Sequence, residues 1–208
     1  MVETKNHKIL FDTGAKFQVL YENMLRLNYN PKEIDTVFVS HEHKDHIGGL
    51  TGFIKKNSKP TIYLPKGLSE KKKTEIINKG GQIIETGKIQ TLFENIATTG
   101  PMGTEIKEQS MIIMTTKGAV IITGCSHPGI INIIKSVSVL SNVYAVIGGF
   151  HTYKEDEEKL KEIKTAMEEL DVKIVVPTHC SGEKIKKILN SSEKIKCIDG
   201  GVGFELRI

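Results

Sequence analysis

The chain has 208 residues, which at about 150 residues per domain fits one compact domain or a modest two-layer unit. Its 38% hydrophobic and 26% charged residues, with a net charge of only +4, exclude the composition of a disordered chain. No apolar stretch approaches the ~20 residues of a membrane span, and the polar start predicts no secretory signal.

The first half of the chain alternates predicted strands and helices. Lys8–Phe11 is a short apolar run that predicts a strand. Apolar residues then recur at helical spacing from Phe17 to Leu27, and Asn30-Pro31 ends that helix. The next predicted elements are strand 36–40, helix 48–56, strand 61–64, a lysine-rich helix to residue 79 and strand 82–85.

The second half begins with a predicted hairpin, because two β-type runs, 111–116 and 119–123, flank Lys117-Gly118. The elements that follow are helix 129–137, strand 143–147, helix 160–170, strand 173–176, helix 183–189 and strands 194–197 and 203–208. Hairpins and crossovers both occur, so the sequence predicts an α/β fold with mixed strand pairing. We expect residues 1–208 to form a single domain.

Three of the seven histidines lie in the sequence H-x-H-x-D-H at residues 41–46, directly after a predicted strand. Residues two apart after a strand project the same way, so His41 and His43 can reach one cation. The chain then turns at Asp45, which directs Asp45 and His46 toward a second position. Imidazole and carboxylate ligands suit zinc first, with iron or manganese as alternatives. Solvated or capping histidines would leave this dense cluster unexplained.

Three further histidines each follow a predicted strand, where open α/β sheets build their sites. They are His127, His151 and His179. Each alone would ordinarily be a structural histidine, but beside the first cluster they become candidate ligands, His151 less so than the other two. His7 lies near the start of the chain and is expected to be structural or idle.

The H-x-H-x-D-H sequence, with Phe11-Asp12-Thr13-Gly14 before it and Gly48-Gly49-Leu50 after it, resembles the metallo-β-lactamase-fold superfamily. Residues 40–50, 124–129, 148–151 and 177–182 together resemble the subgroup of the dihydropterin-6-methyl-4-(ribofuranosyl)aminobenzene 5′-phosphate synthases and their bacterial relatives. The resemblance implies an αββα sandwich with one or two metal ions at one edge, here without the usual first strand or strands.

The resemblance also implies roles for individual residues. Asp12 matches an early aspartate that orients a ligand from behind. The implied metal ligands are His41 and His43 for the first ion, Asp45 and His46 for the second, and His179 as the last histidine of the pattern.

Two ligand positions depart from the family pattern. Residues 51–126 contain no histidine, so His127 must substitute or the first site is short of a ligand. The bridging aspartate is also absent, and Cys125 stands nearest its place as either a thiolate ligand or a small buried residue. Glu108 is a more distant candidate. The sequence therefore leaves one and two bound metal ions both open.

These features predict a metal-dependent hydrolase that attacks a small, anionic ester or phosphoester with metal-activated water. Asp45 would ligate and accept a proton, and His151 would act as an acid or a substrate contact. The helix opening at Gly129 can hold phosphate. The alternatives are a transferase that joins a dihydropterin pyrophosphate to an arylamine phosphate, and a non-catalytic metal or redox sensor.

The expected partner is a small-molecule substrate, with no specific nucleic acid and no membrane. The scattered lysines and the absence of tryptophan give nucleic-acid binding little support. The three cysteines are too few for a disulfide scaffold and predict a reducing, cytoplasmic location. An uncovered sheet edge would allow a homo-oligomer.

Overall fold

The computed structural model describes all 208 residues, which form two compact units, Met1–Gly87 and Lys88–Ile208. Each unit contains one β-sheet and its own cluster of buried apolar side chains. The single domain expected from the length of the chain stays a prediction.

The first unit contains a five-stranded sheet in the order β1-β2-β3-β4-β5. Strand β1 pairs antiparallel with β2, and the other neighbours are parallel. Its elements are β1 (Val2–Glu3), β2 (Lys8–Phe11), α1 (Phe17–Arg26), a 3-10 turn (Pro31–Glu33), β3 (Thr36–Phe38), α2 (Lys44–Ile47), α3 (Leu50–Lys56), β4 (Thr61–Pro65), α4 (Glu70–Asn78) and β5 (Gln82–Thr86).

The apolar spacing explains this unit. All three residues of β3 are buried, as expected of a central parallel strand, and Phe38 stacks on Phe11 of β2 with ring centroids 5.3 Å apart. Helix α3 buries Leu50, Phe53 and Ile54, which lie on one helical face. The strands predicted in this unit are confirmed, and β1 was not predicted. The expectation that the usual first strand or strands of the family are missing stays a prediction.

The second unit contains a seven-stranded sheet in the order β12-β11-β10-β9-β8-β7-β6. Strands β9 to β12 are parallel, and β6 to β9 pair antiparallel. Its elements are β6 (Gln90–Phe93), β7 (Ile96–Thr98), β8 (Met111–Thr115), β9 (Gly118–Thr123), α5 (Ile130–Ser138), β10 (Val143–Gly149), α6 (Glu157–Glu169), β11 (Ile174–Thr178), a 3-10 turn (His179–Ser181), α7 (Glu183–Asn190) and β12 (Lys196–Cys197).

The structure differs from the secondary structure predicted from the sequence at two places in this unit. Strands β6 and β7 were not predicted, because both are short and their side chains mix threonine with apolar residues. The strand predicted over 203–208 is wrong. Those residues are almost all exposed and pair with no strand, although Phe204, Leu206 and Ile208 alternate as in a β-strand.

In both sheets the carboxyl ends of neighbouring parallel strands lie at the same edge of the sheet. In the second unit the adjacent parallel strands β9, β10 and β11 place Thr123 opposite Gly148, and Gly149 opposite Thr178. The loops that leave these three strands therefore start at the same edge of the sheet. No helix in the structure is long and apolar enough to cross a membrane.

Candidate metal centre

The first unit presents the predicted cluster on residues 41–46, which we call the histidine loop. Strands β2 and β3 are parallel neighbours, so Asp12 after β2 and Ser40 after β3 leave the sheet side by side. The loop is short because helix α2 begins at Lys44, one residue after His43. The backbone carbonyl of His46 accepts hydrogen bonds from the N–H and the hydroxyl of Thr13, at 2.7 and 3.0 Å.

His41 and His43 bring one ring nitrogen each close together. The distance between Nε2 of His41 and Nδ1 of His43 is 3.1 Å. Two nitrogens that each lie 2.0–2.1 Å from a tetrahedral zinc ion are about 3.3 Å apart. The pair therefore has the spacing of two ligands of one cation, as the alternation after the strand predicts.

Asp45 and His46 form a second pair in the same loop. Oδ2 of Asp45 lies 3.6 Å from Nε2 of His46. The Asp45 side chain is 51% exposed, whereas that of His46 is only 7% exposed. A carboxylate oxygen and an imidazole nitrogen at this separation suit a divalent transition metal.

A buried polar network behind the loop fixes the histidines. The carboxylate of Asp12 accepts hydrogen bonds from the N–H and hydroxyl of Ser40, both at 2.7 Å, and from Nδ1 of His46 at 2.6 Å. The Ser40 hydroxyl, having donated to Asp12, accepts from Nδ1 of His41 at 2.9 Å. Both histidines thus carry their proton on Nδ1 and turn an Nε2 lone pair outward, an assignment that rests on this network.

The second unit assembles its candidate residues from three loops that follow β9, β10 and β11. Residues 123–127, which we call the cysteine loop, carry Cys125 and His127. His151 follows β10 and His179 follows β11, and both are exposed. The sequence placed all three histidines beyond strand ends, and the structure puts them there.

Hydrogen bonds tie these loops together. The hydroxyl of Ser126 donates to the carbonyl of Gly149 at 2.6 Å, and the N–H of Gly149 donates to the carbonyl of Gly124 at 3.1 Å. The N–H of Phe150 donates to the hydroxyl of Ser181 at 3.0 Å. As a result the rings of His127 and His151 lie with centroids 4.8 Å apart.

Glu108 holds the cysteine loop in place through hydrogen bonds to its carboxylate. It precedes β8, its side chain is fully buried, and its carboxylate accepts six hydrogen bonds from residues 123–127. One of the six comes from Nδ1 of His127. Sequence reasoning named Glu108 only as a distant ligand, since backbone donors leave no trace in the sequence.

A cluster of soft ligands lies beside His151. The ligand atoms of Cys125, His151 and Cys180 are all within 4.8 Å of one another. A hydrogen bond from Cys125 is the largest influence that lowers the pKa of the Cys180 thiol to about 5, and hydrogen bonds from His151 act in the same direction. These donors suit a thiophilic cation. Cys180 was not singled out from the sequence, although it follows His179 directly.

Four residues of these loops have left-handed backbone conformations. They are Asp12, Ser126, His151 and His179, with φ between 50° and 62°. Four of the seven non-glycine residues with positive φ thus lie next to candidate ligands. Such conformations are tolerated by Asp and His better than by most residues but remain strained, and they concentrate at functional sites.

A pocket of about 440 Å³ opens beside His127 and His151. The N-terminal residues of α5 form one wall, including Gly129 and Asn132, and α6 forms another with Lys159 and Glu162. Its lining also includes the apolar side chains of Ile130, Phe150 and Ile163. This size and mixture are typical of sites for small organic molecules.

Two further expectations from the sequence concern the role of His7 and the packing of Cys125. His7 is not part of the histidine loop, and its Nδ1 lies 3.3 Å from Oδ1 of Asp35. Cys125 is buried, and all three cysteines are free thiols. Burial agrees with the small-residue interpretation of Cys125 and leaves the thiolate-ligand interpretation a prediction.

The metallo-β-lactamase superfamily is the class that this fold and these loops define. The family model of that superfamily matches residues 1–179, and the chain belongs to it. The predicted family and fold class are therefore confirmed, whereas the metal-binding roles of individual residues stay predictions.

Individual relatives show which members of the superfamily this chain resembles. The chain is similar to the 7,8-dihydropterin-6-methyl-4-(β-D-ribofuranosyl)-aminobenzene-5′-phosphate synthase of Methanocaldococcus jannaschii, with 32% identity over 87% of this chain and 78% of that protein. An uncharacterised protein of the same organism is 30% identical over 98% of this chain and 90% of its own length. The crystal structure of a metal-dependent hydrolase of the β-lactamase superfamily superposes with a TM-score of 0.83 and 29% identity, covering 96% of this chain and 88% of that one.

Proposed function

We propose that this protein is a metal-dependent hydrolase that cleaves a small, anionic ester or phosphoester with water as the nucleophile. The observation that carries the proposal is the spacing of 3.1 Å between the His41 and His43 nitrogens, which is close to that of two ligands of one ion. The similar crystal structure of a metal-dependent hydrolase supports the same class of reaction.

The proposed ligands follow the family pattern. His41 and His43 would hold one ion, and Asp45 and His46 would hold a second, with His127 and His179 as further ligands. A bound zinc ion, or iron or manganese in its place, would lower the pKa of water toward ~7 and polarise the oxygen under attack. The Nδ1 protons tied to Ser40 and Asp12 support this role, because they keep both Nε2 lone pairs available.

Asp45 is the proposed proton acceptor. Its carboxylate is half exposed, so a water molecule and a substrate can reach it. A carboxylate accepts hydrogen bonds only, and it can therefore orient the attacking water and take its proton. The same group contributes negative charge to the metal set.

His151 and the pocket beside it are the proposed substrate contacts. His151 is exposed and lines the pocket, where an imidazolium can donate a proton to a leaving oxygen. The N–H groups at the start of α5 offer donors for an anionic group, whereas Lys159 in the same pocket is paired with Glu162 at 2.8 Å. Ile130, Phe150 and Ile163 favour an organic part of modest size.

A transferase is the second candidate, and the 32% identity to the dihydropterin-methyl-aminobenzene-phosphate synthase favours it. In such a transferase the arylamine phosphate would form a bond to the dihydropterin carbon that carries the pyrophosphate. The carbon–oxygen bond would break, pyrophosphate would leave, and no water would attack. The same residues would bind the metal and the phosphates. The two candidates therefore differ in the nucleophile and not in the site.

The assay that separates them supplies substrates singly and in pairs. Metal-loaded protein is given phosphoesters, carboxylic esters and lactones one at a time, and then a dihydropterin pyrophosphate with an arylamine phosphate. A hydrolase turns over a single compound, and its rate should rise with pH, since a bound ion would lower the pKa of water toward ~7. Product formed only when both pterin and arylamine are present would refute the hydrolase and establish the transferase.

The matched variants are Asp45→Asn and Asp156→Asn. Asp45→Asn should reduce kcat far more than it changes KM, because it removes a ligand charge and a proton acceptor together. Asp156 caps helix α6 with its side chain and is not a proposed site residue, so Asp156→Asn should retain wild-type turnover. Equal kcat in wild type and Asp45→Asn would remove Asp45 from the mechanism.

A further inference from the structure

We propose that Glu108 is a positioning residue that holds His127 as the imidazole tautomer with its proton on Nδ1. This proposal rests on the metal-binding role of His127 given above. Glu108 itself need touch neither metal nor substrate. It acts by deciding which nitrogen of His127 presents a lone pair.

The first step is the contact itself. Oε2 of Glu108 lies 2.7 Å from Nδ1 of His127 and also accepts the backbone N–H of His127 at 2.9 Å. A carboxylate can only accept, so Nδ1 carries the proton in this contact. A neutral imidazole has one donor and one acceptor nitrogen, and Nε2 therefore keeps its lone pair.

The second step is that the carboxylate cannot turn away. Its other oxygen, Oε1, accepts the N–H groups of Gly124, Cys125 and Ser126 at 3.1, 2.8 and 2.9 Å, and the hydroxyl of Thr123 at 3.1 Å. The Glu108 backbone is also fixed, through paired hydrogen bonds to Met102 at 2.8 and 3.0 Å. Both ends of the side chain are thus anchored, and the direction of Oε2 toward His127 is fixed.

The third step is the exclusion of the competing role. Glu108 could instead be a metal ligand, but its carboxylate already accepts six hydrogen bonds. A carboxylate has about four lone-pair sites, so these contacts leave none directed at a cation. The first unit contains the same arrangement, in which Asp12 accepts Nδ1 of His46 at 2.6 Å.

The test is Glu108→Gln, with Glu105→Gln as the matched control. Glutamine offers one acceptor end and one NH₂ end. Three N–H groups and a hydroxyl meet at the Oε1 position and only two N–H groups at Oε2, so the glutamine oxygen should serve the former and its NH₂ should face His127. The NH₂ group can donate to Nδ1 of His127 only if the ring proton has moved from Nδ1 to Nε2. Glu105 is exposed and three residues away, so its variant should leave His127 unchanged.

The readout is the tautomer of His127 in metal-free protein. Long-range ¹H–¹⁵N NMR at alkaline pH, where imidazole is neutral, distinguishes Nδ1–H from Nε2–H. The His127 signals are assigned by their loss in His127→Gln. Wild type and Glu105→Gln should show Nδ1–H, and Glu108→Gln should show Nε2–H with zinc affinity about 10–100-fold weaker.

The outcomes are decisive without any enzyme assay. Wild-type His127 in the Nε2–H form, or an unchanged tautomer in folded Glu108→Gln, would overturn the proposal. Glu108→Asp keeps the carboxylate and should keep the Nδ1–H form, which serves as the second variant if Glu108→Gln does not fold. Since neither metal nor substrate is present, failure of the hydrolase assay leaves this result intact.

Discussion

The two units present their candidate ligands differently. In Met1–Gly87 four candidates lie within six residues, and hydrogen bonds with two side chains, Asp12 and Ser40, hold two of them, His41 and His46. In Lys88–Ile208 the candidates come from three loops. Backbone N–H groups converging on Glu108 fix residues 123–127, and hydrogen bonds between loops tie this segment to the loops after β10 and β11. A local motif needs few supports, whereas a dispersed set needs the loops themselves to be tied together.

The largest expected effect comes from removing the compact set. His41→Ala combined with His43→Ala should reduce bound metal from one or two equivalents to about zero. Activity should fall about a thousandfold, because metal activation contributes several kcal/mol. Metal analysis of the purified variant measures this. His7→Ala is the control, since His7 contacts Asp35 and is not part of the histidine loop. A double variant that stays fully loaded would remove the histidine loop from the site.

Removing a single dispersed ligand should have about half that effect on metal content. We expect His127→Ala to lose about half of the bound metal, while Cys125→Ala keeps most of it, because Cys125 is buried and its predicted role is packing. X-ray absorption at the metal edge provides the check. A strong sulfur contribution would show instead that Cys125 is a ligand.

Removing the metal altogether should weaken the fold without abolishing it. Each unit buries its own apolar cluster, so neither depends on ligand binding alone. A chelator should lower Tm by roughly 5–15 °C, as expected when a ligand present at 100–1,000 times its Kd is lost. Circular dichroism at room temperature should be unchanged. Complete loss of the signal would mean that folding requires the ion.

The support behind the compact set can be tested in metal-free protein. Asp12→Ala leaves the N–H and hydroxyl of Ser40 and Nδ1 of His46 without their acceptor. The free energy of unfolding should fall by about 1–3 kcal/mol. Asp199→Ala removes an exposed carboxylate and should change stability by less than about 0.5 kcal/mol. Urea unfolding compares the two, and equal values would mean that the network does not stabilise the loop.

The smallest effect concerns the thiols of the second unit. The lowered pKa of Cys180, about 5, should make it the first cysteine to react with iodoacetamide in metal-free protein. Its folded pKa is depressed below the ordinary value of 9.0, so the thiolate persists as pH falls and is lost only near pH 5. Burial raises the pKa of Cys197, which should react later. Mass spectrometry of the alkylated peptides gives the order, and first reaction at Cys197 would contradict it.

Sequence reasoning was most successful where the pattern is local. The H-x-H-x-D-H sequence predicts the pairing of His41 with His43, because both the alternation of side chains and the turn at Asp45 are properties of six consecutive residues. The helices and most strands follow from apolar spacing for the same reason.

Long-range support was not predictable. Glu108 reaches donors 15–19 residues away, and most of these are backbone groups that every residue possesses. Strand β7 forms against β8, and β6 forms against β7, whereas residues 203–208 have no such partner despite a similar alternation. In these cases hydrogen bonding to a neighbouring strand determined whether a strand formed, and the spacing of apolar side chains did not.

The left-handed backbone at Asp12, Ser126, His151 and His179 has a consequence for attempts to make this protein more thermostable. Glycine relieves that conformation at little steric expense, and each strained residue costs about 1–2 kcal/mol relative to it. At Asp12 and Ser126 the loss of hydrogen bonds would offset that gain, but selection for heat resistance alone would favour glycine at the exposed His151 and His179 and would delete their imidazoles. Variants enriched in such a screen should gain melting temperature while losing metal affinity, so a thermostability programme must hold these positions fixed.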